Sequence, residues 1–509
     1  MTHTPSPPTS AATFGAQLRQ YRERAGLTQE ALADQAGLAR NAISALERGE
    51  RQRPYPHTVQ ALADALQLSA DERTTLLAAR HGRARAAPPT DPSASLSPGA
   101  PLPTSLTPLI GRDTDVQVMT QLLARSDVRL VTLLGPGGVG KTRLALHVAF
   151  LMMNQFHDGA TFVSLAAITD PALVIPTIAA AVGVRDVGGQ LLHTVLERTL
   201  HAHQRLLILD NMEQVADAAL DIAALLHACP QLHMLVTSRA PLRVRGEHEF
   251  LLAPLSVPRF ERVPRLDEVM QSAAVQLFVA RVQAVAPAFA LTPTNAATVA
   301  AICRRLDGLP LALELAAARG KVLPPTTLLA RLDRALPLLS GGTRDVPERQ
   351  QTMRTTIAWS YDLLSSDDQH LFRQLAVFQD GWTLDAAEAI RGTQDEDAAA
   401  VVAGLARLVD ASLVVAHEVG GEPRYRLLEP IRQYALEQLE HHGEAADVYQ
   451  QHAALFLTLA ETAEPLLRGA EQIQWMERLE REHGNLSAAM GWLIAHGDTS
   501  TAARLGYAL

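Results

Sequence analysis

The chain has 509 residues, 47% of them hydrophobic and 19% charged, and a formal net charge of −9. That length exceeds what one core usually holds, so several domains are implied, and the acidic balance excludes a generally basic nucleic-acid coat. The only cysteines, Cys229 and Cys303, lie far apart, which excludes a disulfide framework or zinc site and fits a reducing cytoplasm.

The segment Met1–Ser10 is polar and proline-rich and has none of the regions of a signal peptide, so residues 1–12 read as a disordered tail. Residues 13–81 read as five short helices, within a head domain of 13–85. Thr28 caps the second, Gly49 follows the third, and Ser69 with Glu72 forms a capping box for the fifth. Residues 11–85 carry eleven Arg against eight Asp and Glu, a local +3 in an acidic chain, as a nucleic-acid contact requires. Residues 86–105 follow, a Pro/Ala/Ser stretch that forms an extended linker.

Beyond the linker, short apolar runs alternate with helical stretches, the pattern of a parallel sheet covered by helices. Strands are expected near Arg129–Leu134, Thr161–Leu165, Leu206–Asp210 and Met234–Thr237. From Asp267 onward the pattern is amphipathic helix, broken at Gly308–Pro310, at Pro324 and Pro325, around Gly341 and Gly342, and at Gly420 and Gly421. No apolar run reaches the roughly 18 residues of a membrane helix, so no membrane partner is expected. The last stretch, 441–509, reads as helical hairpins of a repeat, and its apolar pattern without a stop signal implies that the natural chain continues.

Gly135-Pro136-Gly137-Gly138-Val139-Gly140-Lys141-Thr142 stands between the first strand and a helix opening near Arg143. Glycines at this spacing let the backbone curl around phosphates at the positive end of a helix, so ATP or ADP is the expected ligand. Lys141 reaches the terminal phosphates, and Thr142 offers its hydroxyl to Mg2+. The strand Leu206–Asp210 ends in a carboxylate that completes the magnesium shell. Lys141 and Asp210 are therefore the catalytic candidates, with Glu213 the nearest further acid. Thr237-Ser238-Arg239 ends another strand and brings a guanidinium that senses the terminal phosphate.

On these residues, 107–440 resembles the NB-ARC module of the STAND class of P-loop NTPases. The matching pieces are Leu109-Ile110-Gly111-Arg112, the P-loop, Leu209-Asp210-Asn211, Thr237-Ser238-Arg239, Gly308-Leu309-Pro310-Leu311, Trp359-Ser360-Tyr361 and Arg424–Ala435. The resemblance implies a nucleotide domain (106–262), a helical domain (263–345) and a winged helix (346–440), closed around ADP and opened by ATP. It places Gly111 and Arg112 at the adenine and Pro310 on the nucleotide. Where relatives carry Met-His-Asp, this chain has Leu427-Leu428-Glu429, and leucine cannot contact the ADP phosphate as histidine does.

Residues Leu27–Gly49 resemble the helix-turn-helix of Cro and phage-repressor regulators, the XRE-like type. Thr28–Gln35 would be the first helix, Ala36-Gly37-Leu38 the turn and Ala39–Arg48 the recognition helix, with Leu32, Leu38, Ile43 and Leu46 buried. Gln29, Arg40, Asn41, Ser44 and Ala45 then face double-stranded DNA, while Arg51 and Arg53 approach its phosphates.

The expected architecture is thus multidomain and mainly α with one α/β domain: a five-helix head, a P-loop domain, a helical domain, a winged helix and the start of a TPR-like repeat. The function read from it is an ADP/ATP-switched transcription regulator that binds an operator, self-associates in the ATP state and meets a protein or small-molecule signal at its repeats. An NLR-like signalling or defence ATPase with the head as adaptor is the alternative. An ATPase motor is disfavoured, because Asn211 stands where efficient hydrolases place a carboxylate, so the chain is at most a slow ATPase.

Overall fold

The computed structural model describes residues 14–36, 40–48, 58, 62–63, 65–66, 68, 72, 102–104, 106–184, 192–258, 265–332, 335–339, 352–392, 398–419 and 421–509. They fall into two units, 1–94 and 95–509.

In the first unit, helices run Phe14–Arg24, Gln29–Ala36 and Arg40–Glu47. The Thr28 hydroxyl accepts from the Ala31 amide at 3.1 Å, the cap expected from sequence. Leu18, Leu32, Ile43 and Leu46 are buried together. The carboxylate of Glu47 accepts from Arg22 at 2.6 Å and from Gln29 at 2.7 Å, locking the ends of all three helices. Glu72 pairs with Arg24 at 2.6 Å. The turn at 37–39, Gly49, Arg51, Arg53, Ser69, Gly341, Gly342 and most of the proline-rich stretch lie outside the described residues.

In the second unit, continuous apolar runs build a parallel sheet because both of its faces are covered. The strands are β1 (Leu130–Leu134), β2 (Ala160–Ser164), β3 (Leu206–Asp210), β4 (His233–Thr237) and β5 (Glu247–Leu251), in the order β2-β3-β4-β1-β5. The pleat sends Val131, Leu133, Ile208 and Leu235 to one face, into the same core as Leu144 and Val148 of the helix Lys141–Met152. Leu130, Leu207, Leu209, Met234 and Val236 point to the other, into a core with Ile178, Leu196 and Ile222. The strand β5 escapes the apolar pattern: as an edge strand with sequence Glu-His-Glu-Phe-Leu it pairs only with β1 and has no fully buried residue.

The helices Ala273–Val285, Ala296–Arg305, Pro310–Ala318 and Pro325–Arg331 follow, with breaks at Gly308–Pro310 and at Pro324 as expected. Beyond Asp267, where strand signals largely vanish from the sequence, the structure adds strands within the span expected to hold a winged helix. An antiparallel sheet of β6 (Trp382–Thr383), β7 (Val414–Val419) and β8 (Glu422–Leu427), in the order β6-β8-β7, lies among the helices Met353–Asp362, Ser366–Gln374, Leu384–Arg391, Ala398–Asp410 and Glu429–His441. β6 has two residues, β7 opens on the short apolar run Val414-Val415-Ala416 and then turns polar, and β8 mixes charged with apolar residues, so no strand shows a sustained apolar period. The helices Ala445–Ala463, Gln472–Arg481, His483–Ala495 and Thr499–Ala508 end the chain. Asn485, fully buried, accepts from the Gln379 amide at 2.7 Å and donates to the Gly381 carbonyl at 2.9 Å, fastening them to the β6 side of that sheet. Among the described residues no helix is long and apolar enough to cross a membrane.

Candidate functional site

The phosphate loop turns tightly because its glycines adopt conformations barred to other residues: φ is 147° at Gly135, 81° at Gly138 and 100° at Gly140. Gly140 is the N-cap of the helix Lys141–Met152 and provides no side-chain cap, so the first-turn amides, Lys141 and Thr142 among them, face the loop. Lys141 is buried; its Nζ donates to the carbonyls of Gly135 at 2.5 Å and Pro136 at 3.2 Å. Burial pulls its ammonium down to about 8, against the carboxylates of Glu213 and Asp210.

Asp210, at the end of β3, accepts from Thr142 Oγ1 and from Thr237 Oγ1, each at 2.6 Å, and Thr237 Oγ1 in turn accepts from the Asn211 amide at 3.0 Å. One hydrogen-bonded row thus joins the helix start to β3 and β4. Burial raises the Asp210 carboxyl, and the two threonine hydroxyls oppose the rise. A hydroxyl and a carboxylate already in contact, beside helix-start amides and a buried ammonium, fit a magnesium-bound phosphate chain.

Arg239 leaves the end of β4 and is 8% exposed. Its Nε donates to Glu213 Oε1 at 3.1 Å, and its guanidinium also donates to the carbonyl of Thr356 at 3.2 Å, in the helix Met353–Asp362. The Ser412 hydroxyl returns a bond to the Arg239 carbonyl at 2.7 Å. A Cβ built on Gly137 would stand 2.5 Å from Thr356 Cγ2 and 3.5 Å from the Arg239 guanidinium. The loop, the strand end and a segment more than a hundred residues away therefore share one contact.

The remaining predicted residues surround this centre. Arg112 is buried and donates to the carbonyls of Ala253 at 2.8 Å and Val139 at 3.1 Å, so it braces the loop from outside, while Gly111, at φ 67°, sits against Ala273. Arg143 turns away from the loop toward the Pro108 carbonyl at 2.8 Å and Glu314 at 3.4 Å. Pro310 opens the helix Pro310–Ala318, and the next amide, Leu311, donates to Gly138 O at 3.1 Å. Leu428 is buried at the start of the helix Glu429–His441, and Glu429 accepts from Arg432 at 2.9 Å and Gln433 at 3.0 Å.

In the first unit, the Gln29 amide is engaged by Glu47, Ser44 and Ala45 are half-buried, and Arg40 and Asn41 open the helix Arg40–Glu47. Two residues that make these contacts, Thr356 and Ser412, had no signal in the sequence, and a third, Asp307, had only that of a turn. Asp307 accepts from Arg426 at 2.9 Å and from the Glu429 amide at 2.5 Å, binding the 306–310 turn to β8. Only the Asp-Gly turn signal at 307–308 marked it.

Comparison with known proteins gives three matched domain models: a helix-turn-helix domain over residues 13–76, an AAA domain over 124–250 and a winged helix-turn-helix domain over 364–440. The chain is 42% identical over 392 residues to a Mycobacterium tuberculosis protein named as an HTH-type transcriptional regulator, Rv0890c, covering 77% of this chain and 42% of that protein. It is 38% identical over 353 residues to the uncharacterized protein Rv0894 of the same organism, covering 68% of this chain and 86% of that one. It is 29% identical over 407 residues to the regulatory protein AfsR of Streptomyces griseus, covering 75% and 38%. The chain thus spans less than half the length of the first and last of these relatives.

Proposed function

The chain belongs to the family of Rv0894, with a helix-turn-helix domain ahead of an AAA-type P-loop domain and a winged helix-turn-helix domain, and we propose that it is a nucleotide-switched, DNA-binding transcription regulator. Gly135–Thr142 and Asp210 hold ATP or ADP with Mg2+ in a module of NB-ARC type, in the manner of STAND proteins. Bound nucleotide supplies a terminal phosphate that is present in ATP and missing in ADP.

The observation that carries the reading is the position of Arg239. It sits over Gly137 of the phosphate loop and simultaneously donates to Thr356 of the winged-helix segment. A terminal phosphate competes for the same guanidinium with Glu213 and the Thr356 carbonyl, so the two nucleotides differ in how firmly that segment is held. Asp307, held by Arg426 and the Glu429 amide, is a second fastening of the closed form. Release frees the module for self-association, and hydrolysis, slow in this reading, restores the closed form.

DNA reading falls to the head. The helix Ala398–Asp410 stands in the recognition position of the winged helix-turn-helix, but its face exposes Ala399, Ala400, Val402 and Ala403. Its one arginine, Arg407, is bound through two nitrogens to Asp368, each at 2.8 Å. The head instead begins its second helix of the pair with Arg40 and Asn41, side chains that suit guanine and adenine edges. One such head reads a half-site, so association of chains raises operator affinity by avidity. The helices after Ala445 take the role of a TPR-like sensor for the activating signal.

The test is a titration of an operator, taken from a genome-wide binding map of the full chain, under a non-hydrolysable ATP analogue and under ADP at fixed salt, with mass measured in parallel. Tighter binding and larger mass with the analogue are expected, and Lys141→Ala abolishes both differences. Equal affinities with equal masses would remove the switch.

A further inference from the structure

We propose that Glu213 is the carboxylate that orients the hydrolytic water at this phosphate site, and that the closed arrangement holds it idle through Arg239. The proposal rests on the nucleotide reading above and adds to it the residue that carries hydrolysis.

The backbone explains how an acid two positions late reaches the site. Asn211, directly after β3, has φ 67° and ψ 52°, a left-handed turn that asparagine tolerates better than most residues. The chain therefore stops running along the strand and winds into the short helix Met212–Ala218. That winding returns Glu213 to the cluster, with its side chain 5% exposed. Asn211 carries no charge of its own, but its Nδ2 donates to Glu213 Oε1 at 3.3 Å, so it steers the acid two positions on.

The two oxygens of Glu213 have different surroundings. Oε1 is taken by Arg239 and Asn211. Oε2 is buried and has no hydrogen-bond partner among the described residues. An unsatisfied buried carboxylate oxygen costs free energy, so its retention points to a use. Asp210 is committed differently, with Oδ1 receiving the hydroxyls of both Thr142 and Thr237.

In the step assigned to it, a water O–H donates to Oε2. The water oxygen forms a bond to the γ-phosphorus of ATP while the bond from that phosphorus to its bridging oxygen breaks, its electron pair leaving on ADP. The water's proton passes to Glu213 and then to solvent, and inorganic phosphate remains. While Arg239 spans Glu213 and Thr356, the carboxylate is tied through it to the helix Met353–Asp362 and is not free to shift toward a bound water.

The experiment uses the full chain with Mg2+ and ATP, comparing wild type, Glu213→Gln, Arg239→Ala and Lys141→Ala. For Glu213→Gln, kcat is expected to fall about a hundredfold, while KM and affinity for a non-hydrolysable analogue stay within about twofold. Acid-quenched Glu213→Gln protein should then release ATP where wild type releases ADP. If Glu213 only anchors Arg239, Glu213→Gln and Arg239→Ala shift analogue affinity together and the released nucleotide stays as in wild type, which overturns the proposal. Wild type that binds the analogue yet turns over no faster than Lys141→Ala also overturns it. Failure of wild type to bind the analogue at all strikes the nucleotide reading first and the proposal with it.

Discussion

The guanidinium of Arg239 donates to the main-chain carbonyl of Thr356 at 3.2 Å, tying the end of β4 to the helix Met353–Asp362, which precedes the matched winged helix-turn-helix domain. The same side chain neutralises Glu213, which is 5% exposed. Arg239→Ala leaves that carboxylate buried without its cation and held only by the Asn211 amide, a change that costs about 3 to 5 kcal/mol. Denaturant unfolding of the nucleotide-free protein should show this loss, and the double variant Arg239→Ala, Glu213→Gln should recover a large part of it. An unaltered midpoint in the single variant would mean that the pair contributes nothing to the closed form.

Gly137 offers a purely steric test. A methyl group there would meet Thr356 Cγ2 at 2.5 Å, closer than real contacts allow. Gly137→Ala should push the helix Met353–Asp362 off the loop and speed hydrogen exchange across it. Thr356→Ser removes the opposing methyl, so the double variant should return toward wild-type protection. If Gly137→Ala exchanges like wild type, the helix does not bear on the loop in solution.

The pH response of the region beyond the winged helix follows from His452, which is 1% exposed and packs against Phe378 and Phe456. Burial lowers its imidazole from the ordinary 6.5 to about 4, despite the hydrogen bond to Asn485. The unfolded chain thus binds more protons between those values, so stability falls as pH drops from about 6.5 to about 4, by about 3 kcal/mol. His452→Leu should flatten this window. The check is unfolding measured from pH 7 to pH 4 in both proteins, and equal slopes would contradict it.

In the head, Arg40→Ala is expected to cost about 1 to 3 kcal/mol at one base position and relax selectivity there. Arg53→Ala should weaken all DNA alike, as loss of a phosphate contact does. Binding measured against a set of single-base operator variants separates the two. Uniform loss in both would make Arg40 a backbone contact only.

Local chemistry wrote much of this protein in its sequence. A glycine loop between an apolar strand and a helix can do little but cradle an anion, and Leu206–Asp210, Met234–Thr237 and the Thr28 cap were legible because strands buried on both faces and capped helices need those residues nearby in the chain. The strand β5, the sheet of β6, β7 and β8, and the roles of Thr356, Ser412 and Asp307 were not. Edge strands and small charged sheets satisfy their backbones through partners distant in sequence, so no apolar period announces them. The contact of Arg239 with Thr356 spans 117 positions and ends on a main-chain carbonyl, a group every residue has. Residue identity fixes which side chain can bind phosphate, while only folding decides which distant backbone competes for it.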